Sequence, residues 1–385
     1  MSRRAFFLVA VAIVILLHGY IGWRLLPHLA VASSWQIGGA IYLLLSSVLI
    51  PLGLVTRGMR RRRLADALAW LGAVAMGLFS SLLVLTLLRD LLLLAYSLFA
   101  TSFLAPDRIH STAWQSNSAV VVLMAAVLMT LAGFINARRI AQVVDVDVRL
   151  PNLPRGLHGF TIVQISDVHV GPTIKRRYVQ KIVARVNALQ ADLIAVTGDL
   201  VDGTVASLRA HTAPLGELKA RHGGYVVTGN HEYYSGADEW IDELRGLGLQ
   251  VLLNEHVVIG HNGAQLAVAG VTDFSAEHFD LRSRSDPLAA IADAPLAALK
   301  LLLAHQPRSA AAAAAAGFDL QLSGHTHGGQ FWPWNYFVPL QQPFTAGLHR
   351  LDNLWVYVSR GTGYWGPPKR FGAASEITRL RLLPG

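Results

Sequence analysis

The sequence predicts a molecule in two parts: an all-α membrane region of four transmembrane helices (residues 1–139), then one large α/β domain (residues 140–385). Three observations carry this. The chain has 385 residues, 53% of them hydrophobic, and a mean hydropathy of +0.41, too apolar for an ordinary soluble protein of this size. Four apolar stretches near the N-terminus each have the ~20 residues a bilayer crossing needs. From Ala141 onward, short apolar runs alternate with amphipathic helical stretches, the pattern of an α/β domain.

The four stretches are Phe6 to Leu26, Trp35 to Thr56, Ala67 to Leu88 and Ala113 to Asn136. The third runs on from Leu91 to Phe103, interrupted by Arg89 and Asp90. That extension is too short for another span and reads as a helix continuing into the membrane interface; the other reading is an intramembrane ion pair on a proton or ion path. Arginines sit before the first span (Arg3, Arg4), between the second and third (Arg57, Arg60, Arg61, Arg62, Arg63) and after the fourth (Arg138, Arg139). The loops Pro27 to Ser34 and Ala105 to Thr112 carry almost no net positive charge, so the positive-inside rule puts both termini in the cytoplasm. Ser2-Arg3-Arg4-Ala5-Phe6-Phe7 resembles a twin-arginine export signal, with Ala30-Val31-Ala32 as a candidate cleavage site. Three further spans follow it, and a plain anchor explains the same arginines.

The formal charge of +9 is confined to the membrane region. Up to Arg139 there are 12 arginines, no lysine and 3 aspartates, while the remainder is neutral with 21 basic and 21 acidic residues. This argues against a basic nucleic-acid-binding domain. Cysteine is absent, which excludes disulfides, thiolate metal sites and a Cys nucleophile.

In the second part, Val144 to Leu150 alternates like a strand with one wet face. Ile174, Tyr178, Ile182, Val186 and Leu189 recur at helical spacing, as do Trp240, Leu244 and Leu247, and both stripes face a core. Ala310 to Ala316 reads as a helix of small side chains. Five apolar runs then end in polar clusters. Phe160 to Ser166 leads to Asp167-Val168-His169, Asp192 to Thr197 to Gly198-Asp199, and Gly224 to Thr228 to Gly229-Asn230-His231-Glu232. Leu299 to Ala304 leads to His305, and Phe318 to Ser323 to Gly324-His325-Thr326-His327-Gly328-Gly329-Gln330. Singly, each cluster has a plain explanation in turn or cap chemistry. Together, all at the carboxyl ends of strands and all with hard or borderline donors, they converge on one metal site.

These five clusters, D-V-H, G-D-L-V-D, G-N-H-E, H and G-H-T-H, resemble the signature of the calcineurin-like metallophosphoesterases, over about Phe160 to Gln330. The wording H-T-H-G-G-Q, the Tyr233 after G-N-H-E and the C-terminal Ser359-Arg360-Gly361-Thr362-Gly363 look most similar to a bacterial membrane-anchored branch. That branch includes phosphodiesterases and enzymes acting on the pyrophosphate of UDP-diacylglucosamine. The resemblance implies two mixed β-sheets flanked by helices, a four-layer αββα sandwich. Together with the positive-inside rule, it leads us to expect a multi-pass protein of the bacterial inner membrane with its catalytic domain in the cytoplasm.

Carried over by position, the resemblance places one metal on Asp167, His169, Asp199 and His327. A second falls on Asp199, Asn230, His305 and His325, with Asp199 bridging. Two divalent ions against two carboxylates leave about two positive charges for an anionic phosphate, and a bridging water becomes hydroxide at neutral pH for in-line attack. His231 is similar in position to the histidine that donates a proton to the leaving oxygen, with Glu232 expected to orient it. Asp202 completes G-D-L-V-D as support for the ligands. Oxygen and nitrogen donors without sulfur suit Mn, Fe or Zn. Mn is the expectation by resemblance.

The expected substrate is a phosphodiester or pyrophosphate, lipid-linked and reached at the membrane. Phe331-Trp332-Pro333-Trp334-Asn335-Tyr336-Phe337 and Tyr364-Trp365-Gly366-Pro367-Pro368-Lys369-Arg370 read either as loops over a sheet edge or as a membrane-facing lip. Lys175, Arg176 and Arg177 read as a solvated helix start or as headgroup contacts. The rival readings are a phosphodiesterase for soluble nucleotides and a non-catalytic membrane sensor that binds metal and a phosphorylated ligand.

Overall fold

The computed structural model describes residues 3–29, 31–56, 59, 61–103 and 112–385. Arg57, Arg60, the loop from Ala105 to Ser111, Ser2 of the export-like motif and Ala30 of the candidate cleavage site lie outside the described residues. The chain divides into two compact units, residues 1–135 with 366–369, and residues 136–365 with 370–385.

The helical unit holds α1 (Arg3–Leu25), α2 (Ser33–Val55) and α3 (Arg62–Phe103), and α4 (Thr112–Arg138) runs from it into the second unit. All four helices are long and apolar enough to cross a membrane. Their outward leucines and isoleucines, such as Leu16, Leu44 and Ile37, stay exposed within the fold, as a lipid-facing surface requires. Helices α2 and α3 approach closely at Gly72, where an added Cβ would lie 2.6 Å from the Leu49 carbonyl oxygen. The third span and its extension form one unbroken helix of 42 residues. Within it, the Asp90 carboxylate accepts from Arg24 (2.7 and 2.8 Å) and Tyr20 (2.6 Å), tying α3 to the end of α1. Arg89 donates to Ser118 Oγ (2.8 Å) on α4 and to the carbonyls of Arg24 and Gln115. Tyr96 and Trp114 lie 6.1 Å apart near this network. Lys369, which clusters with the helices, donates to the Gly77 carbonyl (2.8 Å) and to Thr130 Oγ1 (3.2 Å).

The α/β unit contains two six-stranded mixed sheets. The first has the order β1 (Gln142–Leu150), β12 (Glu376–Pro384), β2 (Thr161–Ile165), β3 (Leu193–Thr197), β4 (Gly224–Val227), β5 (Gln250–Val251). The second has the order β10 (Gly347–Leu351), β11 (Leu354–Val358), β9 (Leu320–Ser323), β8 (Leu299–Leu303), β7 (Ala264–Gly270), β6 (Glu255–His261). Strands β2 to β5 are mutually parallel, as are β11, β9, β8 and β7.

Strand periodicity explains the layers. In β3, Leu193 and Ala195 face the second sheet and pack with Leu301, Leu303, Leu320 and Leu322, whereas Ile194 and Val196 face helices. Those helices are α5 (Arg176–Asn187), through Val179, Ile182 and Val186, with α6 (Val205–Thr212) and α8 (Ala237–Gly246), the latter placing Trp240 and Leu244 in the core. On the far side, Ala267, Ala269 and Leu302 pack on α9 (Pro287–Ala290) and α10 (Ala310–Ala315). The alanine run is therefore a close-packed layer: Ala310 and Ala313 are fully buried. Strands with both faces covered read as continuous apolar runs, which is why the five runs stand out in the sequence. The result is the four-layer αββα sandwich that the resemblance implies, and four long apolar helices precede it in the chain.

Candidate metal centre

The carboxyl ends of five parallel strands deliver the candidate ligands: Asp167 and His169 after β2, Asp199 after β3, Asn230 after β4, His305 after β8, and His325 and His327 after β9. The first three strands are neighbours in one sheet and the last two in the other. Asn230 opens the short helix α7 (Asn230–Ser235).

The side chains fall into sets with one donor atom from each residue within 4.8 Å of the others: Asp167, His169 and His327; Asp199, His305 and His325. A third set, His169, Asp199 and His231, meets the same criterion. Two imidazole nitrogens face each other at 3.1 Å (His169 Nε2 and His327 Nε2), and two more at 3.2 Å (His305 Nε2 and His325 Nδ1). Asp199 Oδ2 lies 3.2 Å from His305 Nε2 and 3.9 Å from His169 Nε2, and so stands between the two groups. Lone pairs brought this close without intervening donors are what a cation satisfies. Asn230 Oδ1 agrees: it is buried and has no hydrogen-bond partner, a costly state for an amide oxygen unless it ligates.

Backbone strain collects at the same positions. Asp167, His169, Asp199, His325 and His327 all have left-handed φ, between 51° and 69°. Each costs of order 1 kcal/mol, and such residues cluster where function demands a geometry. Close packing adds a second constraint: a Cβ on Gly229 would lie 2.2 Å from Asp199 Oδ1, so only glycine lets β4 turn beside that carboxylate.

Supporting contacts fix which nitrogen faces the centre. His305 Nδ1 donates to the Thr197 carbonyl at 2.7 Å and His169 Nδ1 to Asp202 Oδ1 at 3.3 Å, leaving each Nε2 free to coordinate. Asp202 Oδ1 also accepts from His231 Nδ1. The expectation that Glu232 orients His231 is corrected here. Glu232 is buried and accepts instead from the backbone N–H groups of Gly229 (2.6 Å), Asp199 (2.9 Å) and Leu200 (2.7 Å), holding two ligand turns together.

Carboxylates and burial pull the histidines of the site in opposite directions. Burial pulls His305 down, but the Asp199 and Asp167 carboxylates outweigh it and hold the imidazole well above its usual range. Burial, then the neighbouring His305, presses His325 down to about 3. Asp202 is held below the usual carboxylate range: burial opposes this, but His169 and His231 prevail. Burial and the Asp199 charge push Glu232 up to about 7.

Two residues beyond the predicted set belong to the site. The Arg370 guanidinium is buried, donates to the carbonyls of His327 (2.9 Å), Arg360 (2.7 Å) and Gly363 (3.1 Å), and lies 3.0 Å from His327 Nδ1. Its run of aromatics and cations read either as a loop over a sheet edge or as a membrane-facing lip; burial makes Arg370 a brace. Trp365 stands beside His231, ring centroids 5.9 Å apart. Of the other lip residues, Phe331 and Tyr364 are buried while Trp334, Tyr336 and Phe337 are exposed. Arg176 begins α5 and donates to the Ala210 carbonyl.

A sandwich of two mixed sheets with histidines, aspartates and an asparagine gathered at its strand ends defines a metal-dependent phosphoesterase class. The chain belongs to the calcineurin-like phosphoesterase family, which it matches over residues 160–329. It is 37% identical over 271 residues to a transmembrane protein with metallophosphoesterase domain from Danio rerio, covering 68% of this chain and 62% of that protein. It is 35% identical over 264 residues to an uncharacterized metallophosphoesterase of Campylobacter jejuni, covering 68% of each. Among solved structures, Haemophilus influenzae NAD nucleotidase aligns with a TM-score of 0.37 at 16% identity, over 53% of this chain and 45% of that one.

Proposed function

We propose that this chain is a membrane-anchored, dinuclear-metal phosphohydrolase that cleaves a phosphodiester or pyrophosphate bond in a lipid-linked substrate. The observation that carries the reading is Asp199 standing between two sets of converging donors, with His231 alongside. Asp167, His169, Asp199 and His327 would hold one divalent ion, and Asp199, Asn230, His305 and His325 the other, with Mn favoured over Fe or Zn. Bound there, the ions would supply Lewis acidity toward phosphoryl oxygens and ready deprotonation of water.

The chain's own contribution centres on His231. Asp202 holds its Nδ1, so Nε2 is left to give a proton to the leaving oxygen. Its backbone N–H donates to Asp199 Oδ1 at 2.9 Å, which fixes its place relative to the carboxylate that both ions would share. Four apolar helices supply the anchor and put the enzyme among lipids; the arginine distribution argues for the catalytic domain on the cytoplasmic side, and the resemblance to the bacterial membrane-anchored branch for an inner membrane. The resemblance to the UDP-diacylglucosamine pyrophosphatase branch makes that class of amphipathic pyrophosphate the leading substrate.

The test is Mn-dependent hydrolysis of bis(p-nitrophenyl) phosphate by the purified full-length protein. Turnover that chelation removes and Mn restores supports the reading. Metal binding with no turnover of this or any lipid-linked phosphate favours the sensor.

A further inference from the structure

Three large aromatic side chains stand half-exposed on the His231 side of the centre. Tyr234, Phe279 and Trp365 are 54%, 50% and 49% exposed. The Tyr234 and Trp365 rings lie 5.3 and 5.9 Å from the His231 ring, and Phe279 lies 5.5 Å from Tyr234. Trp365 is not a stray loop residue. The Gln330 carboxamide grips its backbone at both ends, donating to the Trp365 carbonyl (2.8 Å) and accepting from its N–H (2.9 Å). Gln330 is itself nearly buried, three residues beyond His327, so the ligand loop that would set the metal also sets this wall.

Apolar rings kept at a wet rim by a built support are held for an occupant. Their attitudes indicate which kind. Tyr234 and Phe279 meet at 58° and so present no parallel pair of faces to a flat base, while Tyr234 and Trp365 stand at 69° and 75° to the His231 ring. Splayed rings instead line a trough that suits a flexible hydrocarbon chain, and the apolar helices put the chain where such chains abound. Because the wall flanks the proton donor, it bears on the half of the substrate that departs.

Resting on the phosphohydrolase reading above, we propose that Trp365, Tyr234 and Phe279 form the leaving-group subsite and that the departing half of the substrate carries the hydrocarbon. In the reaction the P–O bond to that half breaks and its electron pair goes to the departing oxygen, which takes a proton from His231. Water supplies the oxygen that joins phosphorus, and its released proton restores His231. The products are a hydrocarbon-bearing alcohol or phosphate and a polar phosphate.

The experiment gives full-length protein, reconstituted in nanodiscs with Mn, methyl decyl phosphate in 18O-labelled water, and identifies products by mass spectrometry. Decanol with labelled methyl phosphate is expected to exceed methanol with decyl phosphate by at least about tenfold, since each buried methylene contributes about 0.8 kcal/mol. Trp365→Ala and Phe279→Ala should each reduce that product ratio several-fold, a readout independent of total rate. Release of methanol with decyl phosphate as the major course overturns the proposal, as does a ratio unmoved by both variants. Preference for methyl uridine phosphate over methyl decyl phosphate also overturns it, in favour of a base in the subsite. If bis(p-nitrophenyl) phosphate and both of these diesters all survive, the phosphohydrolase reading fails and this inference goes with it.

Discussion

The two halves of the proposed metal centre are braced by different means. His169 leans on the carboxylate of Asp202, and His327 lies against the guanidinium of Arg370. His305 instead leans on a main-chain carbonyl, that of Thr197 at the end of β3. A side-chain brace can be lost to one substitution, whereas a carbonyl is fixed by the pairing of β3 within its sheet. The first half is therefore open to tuning by mutation and the second is set by the fold, with Asp199 standing between them.

That contrast can be broken most severely at its shared member. Asp199→Asn should remove the negative charge both halves use, abolish turnover by more than about a thousandfold, and drop the metal count measured by plasma mass spectrometry toward zero. His231→Ala should cost about a hundred- to ten-thousandfold in kcat while the metal count stays unchanged, separating proton donation from metal binding. Asp202→Asn loosens His169 and His231 together. It should weaken metal affinity about 10- to 100-fold in one phase of a Mn titration, leaving the phase of the His305 half in place. Arg370→Gln should weaken the same phase about tenfold or less, seen by calorimetric titration. If Asp202→Asn weakened both phases equally, the division into a tunable and a fixed half would be wrong.

The strand ends were legible from sequence because parallel strands covered on both faces announce themselves as apolar runs, and each run stops at its polar cluster. The two-sheet architecture was legible only through family resemblance. Strand β12 pairs with β1 between Gln142 and Glu376, across most of the domain, and no local periodicity records that pairing. The brace residues were hidden for the same reason. Arg370 reaches His327 only because the chain returns after β11, and in sequence it stands among aromatics that suggested a surface. The Glu232 expectation erred on helix geometry. Successive residues on α7 point about 100° apart, so the neighbour of His231 turns away toward the Asp199 turn and Asp202, 29 positions upstream, takes the imidazole.

The length of α3 has its own consequence. At about 1.5 Å per residue, its 42 residues extend roughly 63 Å, twice the ~30 Å of hydrocarbon in a bilayer. If Arg62 marks one boundary, the Arg24–Asp90–Arg89 network falls some 40 Å further along, past the acyl chains rather than within them. The ion pairs then belong to the headgroup zone, where Trp114 and Tyr96 are also at home. What remains of the helix still bears exposed Leu91, Leu92, Leu94 and Leu98, side chains suited to lying along the interface rather than in open water.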